Sequence, residues 1–192
     1  LVLALEWALR LPTQRCTQSE LRDFLSQPSV AARFGLALED LPRLMQWLEG
    51  SGVRWGLDLE HRASLGLALC GEPNTSLFGL RRMLMGYATG LSTHLQTQAF
   101  ADIEPYGEVG GLDAELAGGF AHLLDTLSNW QQASQQDRIP LDWATQFRSL
   151  LADLFKAHNT EDQKSLAALE QALQGWLNAC DLAQFDQAIA LD

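Results

Sequence analysis

The stretch EDLPRLMQWLEGSGVRWGLD, residues 39–58, combines the clearest helix signal in the sequence with the clearest break. Pro42 lies in the first turn, where a helix does not use the N–H that proline lacks. The apolar residues recur at the i, i+3, i+4 and i+7 spacing of one helical face: Leu41, Leu44, Met45 and Leu48. Gly50-Ser51-Gly52 ends this pattern. Residues 39–49 are therefore predicted to form an amphipathic helix that stops at a tight connection.

The connection GVRWGLD, residues 52–58, is predicted to be a structural joint. Its glycines, Gly52 and Gly56, end one helix, and Asp58 supplies a side-chain oxygen to cap the next. Trp55 either packs the joint against the preceding helix or stacks on the neighbouring Arg54 through a cation–π contact. The joint holds no catalytic base, nucleophile or metal-ligand set, so an active-site loop is the interpretation with the least support.

Upstream of the joint, helical signals reach back to the first residue. The opening LVLALEWALRL, residues 1–11, is interrupted by Glu6 and Arg10 and is shorter than the run of about 20 residues that a membrane span needs, so it predicts an amphipathic helix. Because it begins like the interior of a helix, we expect the chain to be a piece of a longer polypeptide. Thr17 and Glu20 form a T-x-x-E capping box for a helix over 18–26, and a short helix from Pro28 is expected to end at Gly35.

Downstream of the joint, Ser76 is expected to cap a helix over 77–88. The apolar face predicted for this helix consists of Leu77, Leu80, Leu84 and Tyr87, with Arg81 and Arg82 beside it. Residues 102–111, which contain Pro105 and three glycines, form a loop and the best candidate for an internal boundary. Further helices are predicted over 112–133, over 140–157, from Thr160, where T-x-x-Q suggests a capping box, and over 181–190.

These patterns predict an all-α or mainly α fold, a multi-helix domain over residues 1–192. No stretch shows sustained period-two alternation with β-branched residues, so strands should be few. The three cysteines are odd in number and far apart, which favours a reduced, cytosolic setting over a disulfide-bonded one. No other window is apolar enough to suggest a membrane span.

The net charge of −11 lies entirely in the second half of the sequence. Residues 1–100 carry 9 basic and 9 acidic side chains, whereas residues 101–192 carry 4 and 15. Phosphate binding requires clustered cations, so any contact with DNA is expected through arginines of the first half. The acidic half is interpreted as a solvated surface that maintains solubility.

Signatures of catalysis and of cofactor binding are missing from the sequence. No phosphate-binding G-x-x-x-x-G-K-[ST] loop, H-E-x-x-H zinc motif or G-x-S-x-G nucleophile elbow occurs. His122 and Asp125, spaced i and i+3, are interpreted as surface residues rather than metal ligands, and His61 is interpreted as part of a solvated turn. A nuclease would need converging carboxylates, for which the candidates are Asp102, Glu104, Asp113 and Glu115, but no lysine follows them. We therefore expect no catalytic residues, no metal and no cofactor.

The six tryptophans have two interpretations. They could serve as stacking platforms for single-stranded bases, but most of them recur on apolar helical faces, which favours core packing. The set is Trp7, Trp47, Trp55, Trp130, Trp143 and Trp176.

Three blocks of sequence, in order, resemble one bacterial family. They are SQPSVAARFGLALEDLPRLMQWLEGSGVRWGLDLEHRASLGL (residues 26–67), NTSLFGLRRMLMGYA (residues 74–88) and PYGEVGGLDAELAG (residues 105–118). Together they look like the middle of RecC, the gamma chain of exodeoxyribonuclease V, a subunit of the RecBCD helicase-nuclease. The chain departs from the family pattern at Ser76 and Leu77, where an aromatic-basic pair is usual, and at Gly107, where an aspartate is usual.

The resemblance implies a non-catalytic role. RecC looks like a superfamily 1 helicase that has lost its ATP-site motifs and carries an inactive nuclease-like domain, and this segment would correspond to its helical, 2B-like insertion. The implied partners are RecB-like and RecD-like subunits and DNA within the full complex. The implied setting is the bacterial cytoplasm, in double-strand break repair by homologous recombination and degradation of linear DNA. Arg54, Arg81 and Arg82 are the candidates for DNA or partner contacts, because guanidinium groups bind phosphate and carboxylate alike.

Alternative interpretations remain open. The three arginines could instead form intramolecular salt bridges to Glu49, Asp58 or Glu72. The chain could be a free-standing acidic helical adaptor that binds only protein and has no preference for RecB-like or RecD-like chains. An enzyme, the third possibility, would show turnover that depends on a metal or nucleotide and is abolished by mutation near Asp113.

Overall fold

Helices account for the regular structure of the described residues, which are 1–90, 103–111 and 114–191 of a computed structural model. Within these ranges nine α-helices follow in order: α1 (Val2–Arg10), α2 (Gln18–Leu25), α3 (Pro28–Arg33), α4 (Leu41–Gly50), α5 (Leu59–Ser64), α6 (Ser76–Thr89), α7 (Ala114–Ser134), α8 (Pro140–Leu154) and α9 (Thr160–Leu182). Single-turn 3-10 helices lie at Leu11–Thr13, Leu38–Asp40 and Ala68–Cys70. The same ranges contain no strand, although two isolated bridges pair Thr17 with Trp55 and Arg138 with Ile189. The prediction of a mainly α fold is confirmed.

Local signals placed the early helices correctly. The T-x-x-E capping box forms at the start of α2, where the Thr17 side chain accepts from the N–H of Glu20 and the Glu20 carboxylate accepts from the N–H of Thr17. After α3, Gly35 adopts a left-handed φ of +67°. The predicted face of α4 is also largely confirmed, because Leu41, Leu44 and Leu48 are buried together with Trp47.

The predicted cap of α6 is wrong, and its predicted apolar face is correct at Leu80 but wrong at Leu84 and Tyr87. The N-cap is Thr75, whose hydroxyl accepts from the N–H of Phe78 at 3.1 Å, and Ser76 is already inside the helix. Leu84 and Tyr87, which were expected to face the core, are 43% and 47% exposed. The buried face instead contains two glycines and consists of Ser76, Gly79, Leu80, Met83 and Gly86. The periodicity of large apolar side chains does not reveal that glycines are buried. At Gly86 the main chain of another segment lies directly against the helix, and only glycine leaves room for it.

That close approach is made by the loop 103–111, which docks on α4 and α6. The N–H of Tyr106 donates to the Arg82 carbonyl at 2.9 Å, and its hydroxyl donates to the Glu108 carboxylate at 2.8 Å. A Cβ added to Gly50 would lie 2.6 Å from the Tyr106 ring, and one added to Gly86 would lie 2.5 Å from the Tyr106 carbonyl carbon. Helix α6 therefore needs glycine at position 86, where the close atoms belong to the main chain, whereas at Gly50 the close atoms belong to the end of the Tyr106 side chain. The internal boundary proposed at 102–111 stays a prediction.

The core of the second half is arranged around α7. Its buried face includes Phe120, Leu123, Leu127 and Trp130, and the Trp130 indole N–H donates to the Ala8 carbonyl of α1 at 2.7 Å. The Phe147 ring of α8 lies against both Trp130 and Trp143, with ring centroids 6.0 Å and 5.6 Å away. Helix α9 packs on α8, yet no residue of α9 is buried.

Two predictions about the C-terminal part are wrong. The N-cap of α9 is Asn159 rather than Thr160, because the Asn159 side chain accepts from the N–H of Asp162 at 2.8 Å. The helix expected over 181–190 does not form, since α9 ends at Leu182 and Gln184 adopts a φ of +52°. The main chain of Ile189 instead exchanges two hydrogen bonds with Arg138, and its carbonyl accepts from the Trp143 indole at 2.8 Å. Pairing with a distant segment thus replaces the predicted helix.

None of the helices in the described ranges is both long enough and apolar enough to cross a lipid bilayer.

Candidate functional site

The joint between α4 and α5 is held by main-chain hydrogen bonds on two sides. On one side, the N–H of Gly56 donates to the carbonyl oxygens of Arg15 and Cys16 at 2.8 and 3.0 Å. On the other side, the N–H of Arg54 donates to the Asn74 carbonyl at 3.0 Å. Gly52 and Gly56 adopt φ angles of +89° and +81°, which favour glycine. The joint is therefore hydrogen-bonded both to the segment that precedes α2 and to the segment that precedes α6.

Asp58 connects the joint to two helices. One of its carboxylate oxygens accepts from the N–H of His61 at 2.8 Å and so caps α5. The other accepts from the Ser128 hydroxyl of α7 at 3.3 Å. The cap was expected from the sequence, whereas the contact with α7 joins residues 70 positions apart.

Trp55 stacks on an arginine, but on a different one from the neighbour that the sequence suggested. The guanidinium carbon of Arg62 lies 4.0 Å from the centroid of the indole, and that of Arg15 lies 5.7 Å away. Arg54 turns away and donates to the carbonyl oxygens of Val53 and Glu49 at 2.7 and 3.3 Å. The cation–π contact is thus made between α5 and the joint and fixes their relative position.

Arg62 is the centre of this cluster. Its side chain is buried, with 1% of the residue surface exposed, and burial lowers the pKa of its guanidinium. It donates to the carbonyl oxygens of Trp55 at 2.9 Å, Gly71 at 2.6 Å and Pro73 at 2.8 Å. Its Nε packs over Gly56, where an added Cβ would approach it to 3.0 Å. The positive charge is therefore stabilised by main-chain dipoles, and in return it holds the connection between α5 and α6 against the joint.

His61 is also buried, so its interpretation as part of a solvated turn is wrong. Its Nδ1 accepts from the N–H of Leu57 at 3.2 Å, and its Nε2 lies 3.2 Å from the Leu11 carbonyl oxygen. This geometry assigns the neutral tautomer with the proton on Nε2. Burial, the largest effect, lowers the pKa of His61 in the folded chain.

We expect the stability contributed by His61 to fall as the solution is acidified. The lowered pKa means that the unfolded chain takes up this proton first, so stability is present above a pH of about 6.5 and is lost as pH falls below it. Urea unfolding at pH 7.5 and at pH 5 would measure the decrease. His61→Gln should flatten this part of the profile, whereas the exposed control His158→Gln should leave it unchanged. An unchanged profile in His61→Gln would contradict the lowered pKa of His61 in the folded chain.

The three candidate arginines differ in how they are held. Arg54 is exposed at the joint, and Arg81 is 46% exposed in an ion pair with Glu72. Arg82 is only 19% exposed and donates to the carbonyl oxygens of Ser51 at 2.7 Å and Glu104 at 2.8 Å. The structure therefore places Arg54 and Arg81 on the surface, and Arg82 between α6, the joint and the loop 103–111.

The other candidates for chemistry are exposed where the structure describes them. Over the described ranges, no group of three or more His, Cys, Asp or Glu side chains could hold a metal ion. His122 and Asp125 are exposed on α7, where the imidazole contacts the Phe34 ring edge-on with centroids 5.2 Å apart. Glu104 and Glu115 are exposed, and Asp102 and Asp113 lie outside the described residues.

Burial decides the role of Cys16 and of most of the tryptophans. All three cysteines are free, and burial raises the pKa of the Cys16 thiol far above its usual range, which makes it inert. Trp47, Trp130 and Trp143 are buried, and Trp7 and Trp176 pack against the core. The core-packing interpretation is confirmed for these five.

Comparison with known proteins places this arrangement in a family. The model for the fourth domain of RecBCD enzyme subunit RecC matches residues 1–192. This chain belongs to the RecC family. RecC of Escherichia coli K12 is 35% identical over 183 residues, which cover 95% of this chain and 16% of that protein. RecC of Buchnera aphidicola (Acyrthosiphon pisum) is 24% identical over 173 residues, 90% of this chain and 15% of that protein.

A third relative covers a shorter part of this chain. RecC of Mycobacterium tuberculosis H37Rv is 36% identical over 120 residues, which are 62% of this chain and 10% of that protein. The chain thus spans about a sixth or less of the length of these RecC proteins. The resemblance inferred from three sequence blocks is confirmed at the level of the RecC family.

Sequence reasoning missed the two residues that organise the joint, His61 and Arg62. One signal was available, because Leu57, His61 and Leu65 are spaced i, i+4 and i+8, which is the spacing of one helical face. Charged and titratable side chains are seldom fully buried, so composition argues against a buried Arg62. The hydrogen-bond partners of Arg62 are main-chain carbonyls, and a sequence pattern cannot reveal them because every residue has one.

Proposed function

We propose that this chain is a non-catalytic scaffold and DNA-channel domain of the RecC subunit of the RecBCD helicase-nuclease. The observation that carries the proposal is the match of the RecC fourth-domain model to residues 1–192. In this role the domain has no catalytic activity and acts through its shape and its contacts with partner subunits and DNA. The processes are double-strand break repair by homologous recombination and degradation of linear DNA. It works in the bacterial cytoplasm with RecB-like and RecD-like subunits, which carry the catalysis.

The charge distribution supports the assignment of surfaces. Arg54 and Arg81 are exposed in the half of the chain whose charges balance, whereas residues 101–192 carry 15 acids and 4 bases. Basic side chains bind DNA phosphates and release the counterions that surround the DNA. The acidic half of the chain is therefore disfavoured as a DNA-binding surface. The candidate DNA or partner contacts are therefore Arg54 and Arg81, the two exposed arginines of the three. Correspondence to a 2B-like insertion is part of this proposal.

Charge reversal of Arg54 and Arg81 tests the proposal in the full-length RecC chain. In the reconstituted complex, Arg54→Glu with Arg81→Glu is expected to weaken DNA binding or subunit assembly. If both residues bind phosphates, the slope of log affinity against log salt should become shallower by about 1 for each arginine replaced. Gel filtration of the assembled subunits and a salt titration of DNA binding measure the two effects. Arg82→Glu is a poorer choice, because Arg82 also holds Ser51 and Glu104.

A matched control uses the acidic half. Lys156→Glu with Lys164→Glu changes the charge by the same amount, and both side chains are exposed in the second half of the chain. We expect this control to leave assembly and the salt slope unchanged. If Arg54→Glu with Arg81→Glu behaved like the control in both assays, the proposed contact surface would be wrong.

The two alternatives, an adaptor and an enzyme, predict different results in binding and turnover assays. An adaptor that binds only protein predicts no salt-dependent DNA affinity and no preference for RecB-like or RecD-like chains in a pull-down. An enzyme predicts nuclease or ATPase turnover with Mg²⁺, which we expect to be blank for this domain. Robust turnover that disappears on mutating Asp113 would replace the scaffold proposal.

A further inference from the structure

The exposed Arg81 of α6 is paired with one carboxylate. Its Nη1 donates to Oε1 of Glu72, a residue of the connection between α5 and α6. The side chain of Glu72 is 34% exposed and that of Arg81 is 46% exposed, so the ion pair lies at the surface. An ion pair in this position contributes little to stability, and another anion can therefore replace the carboxylate at low cost.

The ion pair leaves most of the Arg81 guanidinium unengaged. Within the described part of the chain, Nη1 is the one nitrogen of Arg81 that has a hydrogen-bond acceptor. Arg148 of α8 is held differently, because its Nε and Nη2 donate to the two carboxylate oxygens of Glu170 at 3.1 and 2.6 Å. A guanidinium binds an oxyanion best through two adjacent N–H groups. Arg81 still has such an edge, formed by Nε and Nη2, whereas in Arg148 this edge is occupied.

The position of Glu72 is fixed by hydrogen bonds to the main chain on both sides of it. The buried guanidinium of Arg62 donates to the carbonyl oxygen of Gly71 at 2.6 Å and to that of Pro73 at 2.8 Å. The main chain that carries Glu72 is therefore held in place by a side chain of α5. As a result, the carboxylate stays beside Arg81 when another anion approaches.

We propose that Glu72 competes with a DNA phosphate for Arg81 and thereby weakens the DNA contact made there. This inference rests on the proposed function, in which Arg81 is a candidate DNA contact. A phosphate that approaches the guanidinium either displaces the carboxylate or binds the free edge beside it, and in both cases the neighbouring negative charge opposes binding. Arg81 therefore contributes less to DNA affinity than an unpaired arginine would.

Replacing Glu72 with glutamine in the full-length RecC chain tests this competition, because glutamine keeps the size of the side chain and removes its charge. In the complex reconstituted with RecB-like and RecD-like subunits, Glu72→Gln should bind DNA about three- to fivefold more tightly at low salt, a factor that corresponds to one exposed ion pair. The slope of log affinity against log salt should become steeper by up to about 1, because Arg81 is then free to neutralise a phosphate. Fluorescence anisotropy of a labelled DNA duplex over a range of salt concentrations measures both effects.

Two controls separate competition at Arg81 from a general effect of removing an acid. In an Arg81→Gln background, Glu72→Gln should change DNA affinity by less than about twofold, since its effect passes through Arg81. Glu170→Gln is the matched control, because it also removes the acid of an arginine–glutamate pair, but in the acidic half of the chain. It should likewise change DNA affinity by less than about twofold.

Three outcomes would overturn the competition. They are unchanged or weaker DNA binding in Glu72→Gln, an equal gain in Glu72→Gln and Glu170→Gln, and a gain that persists in the Arg81→Gln background. Arg81→Gln alone distinguishes this failure from that of the proposed function. Unchanged DNA affinity in Arg81→Gln would overturn the proposed DNA contact and the competition with it, whereas weaker binding in Arg81→Gln without a gain in Glu72→Gln would overturn the competition alone.

Discussion

Replacing Arg62 with alanine is expected to lower the free energy of unfolding by about 3–5 kcal/mol, the range reached when a buried hydrogen-bond network is broken. The guanidinium is buried, and its removal would leave the carbonyl oxygens of Trp55, Gly71 and Pro73 without this donor. Arg62→Lys should also be strongly destabilising, because one ammonium group cannot reach three carbonyls and cover the indole face at once. Urea unfolding followed by circular dichroism gives the change.

The control for Arg62 lies in the same joint. Arg54 is exposed and donates to nearby carbonyls, so Arg54→Ala should change the free energy of unfolding by no more than about 0.5 kcal/mol. A double-mutant cycle with Trp55→Leu should give a coupling energy of about 0.5–2 kcal/mol between Trp55 and Arg62. If Arg62→Ala unfolded at the same urea concentration as Arg54→Ala, the network described around Arg62 would be incorrect.

Replacing Gly86 with alanine is expected to destabilise the chain by about 1–3 kcal/mol or more, the usual cost of overpacking. In an ordinary helix interior the same change stabilises by up to about 1 kcal/mol, because alanine loses less backbone freedom. At Gly86, however, the new Cβ would lie 2.5 Å from the Tyr106 carbonyl carbon and 3.2 Å from the Gly107 Cα. Main chain cannot rotate away as a side chain can, so the loop 103–111 must leave α6.

The chain offers a matched control on α9. A Cβ added to Gly175 meets nothing within 4 Å, so Gly175→Ala should raise the free energy of unfolding. Thermal unfolding compares the two variants, and chymotrypsin cleavage after Tyr106 reports whether the loop has been released. A higher melting temperature in both variants, with Tyr106 still protected, would mean that the loop does not dock as described.

Helix positions follow from local chemistry, and this is why most of them could be predicted. The hydroxyl of Thr17 and the carboxylate of Asp58 cap helices through atoms only three residues away. The apolar face of α4 depends on the 3.6-residue period of a single helix. Such signals need no knowledge of the remaining chain, and the family resemblance carried by residues 26–67 and 74–88 is likewise a property of the sequence alone.

The candidate site depended on contacts that local patterns do not encode. Trp55 stacks on Arg62 rather than on its neighbour Arg54, because α5 folds back over the joint. His61 is buried because Leu11, 50 residues earlier, supplies an acceptor for its ring. Arg82, predicted alongside Arg81 as a contact residue, bridges Ser51 and Glu104. For His61 and Arg82 the partner atoms belong to the main chain of another segment.

The sequence by itself determined a mainly α chain of the RecC family, with its net charge of −11 confined to residues 101–192. Tertiary structure alone decided which polar side chains are buried, which face of α6 meets the core, and that Ile189 pairs with Arg138 instead of continuing a helix. The physical reason is range. Caps and periodicity act over three or four residues, whereas a buried polar group is stable only where distant main chain supplies its hydrogen-bond partner.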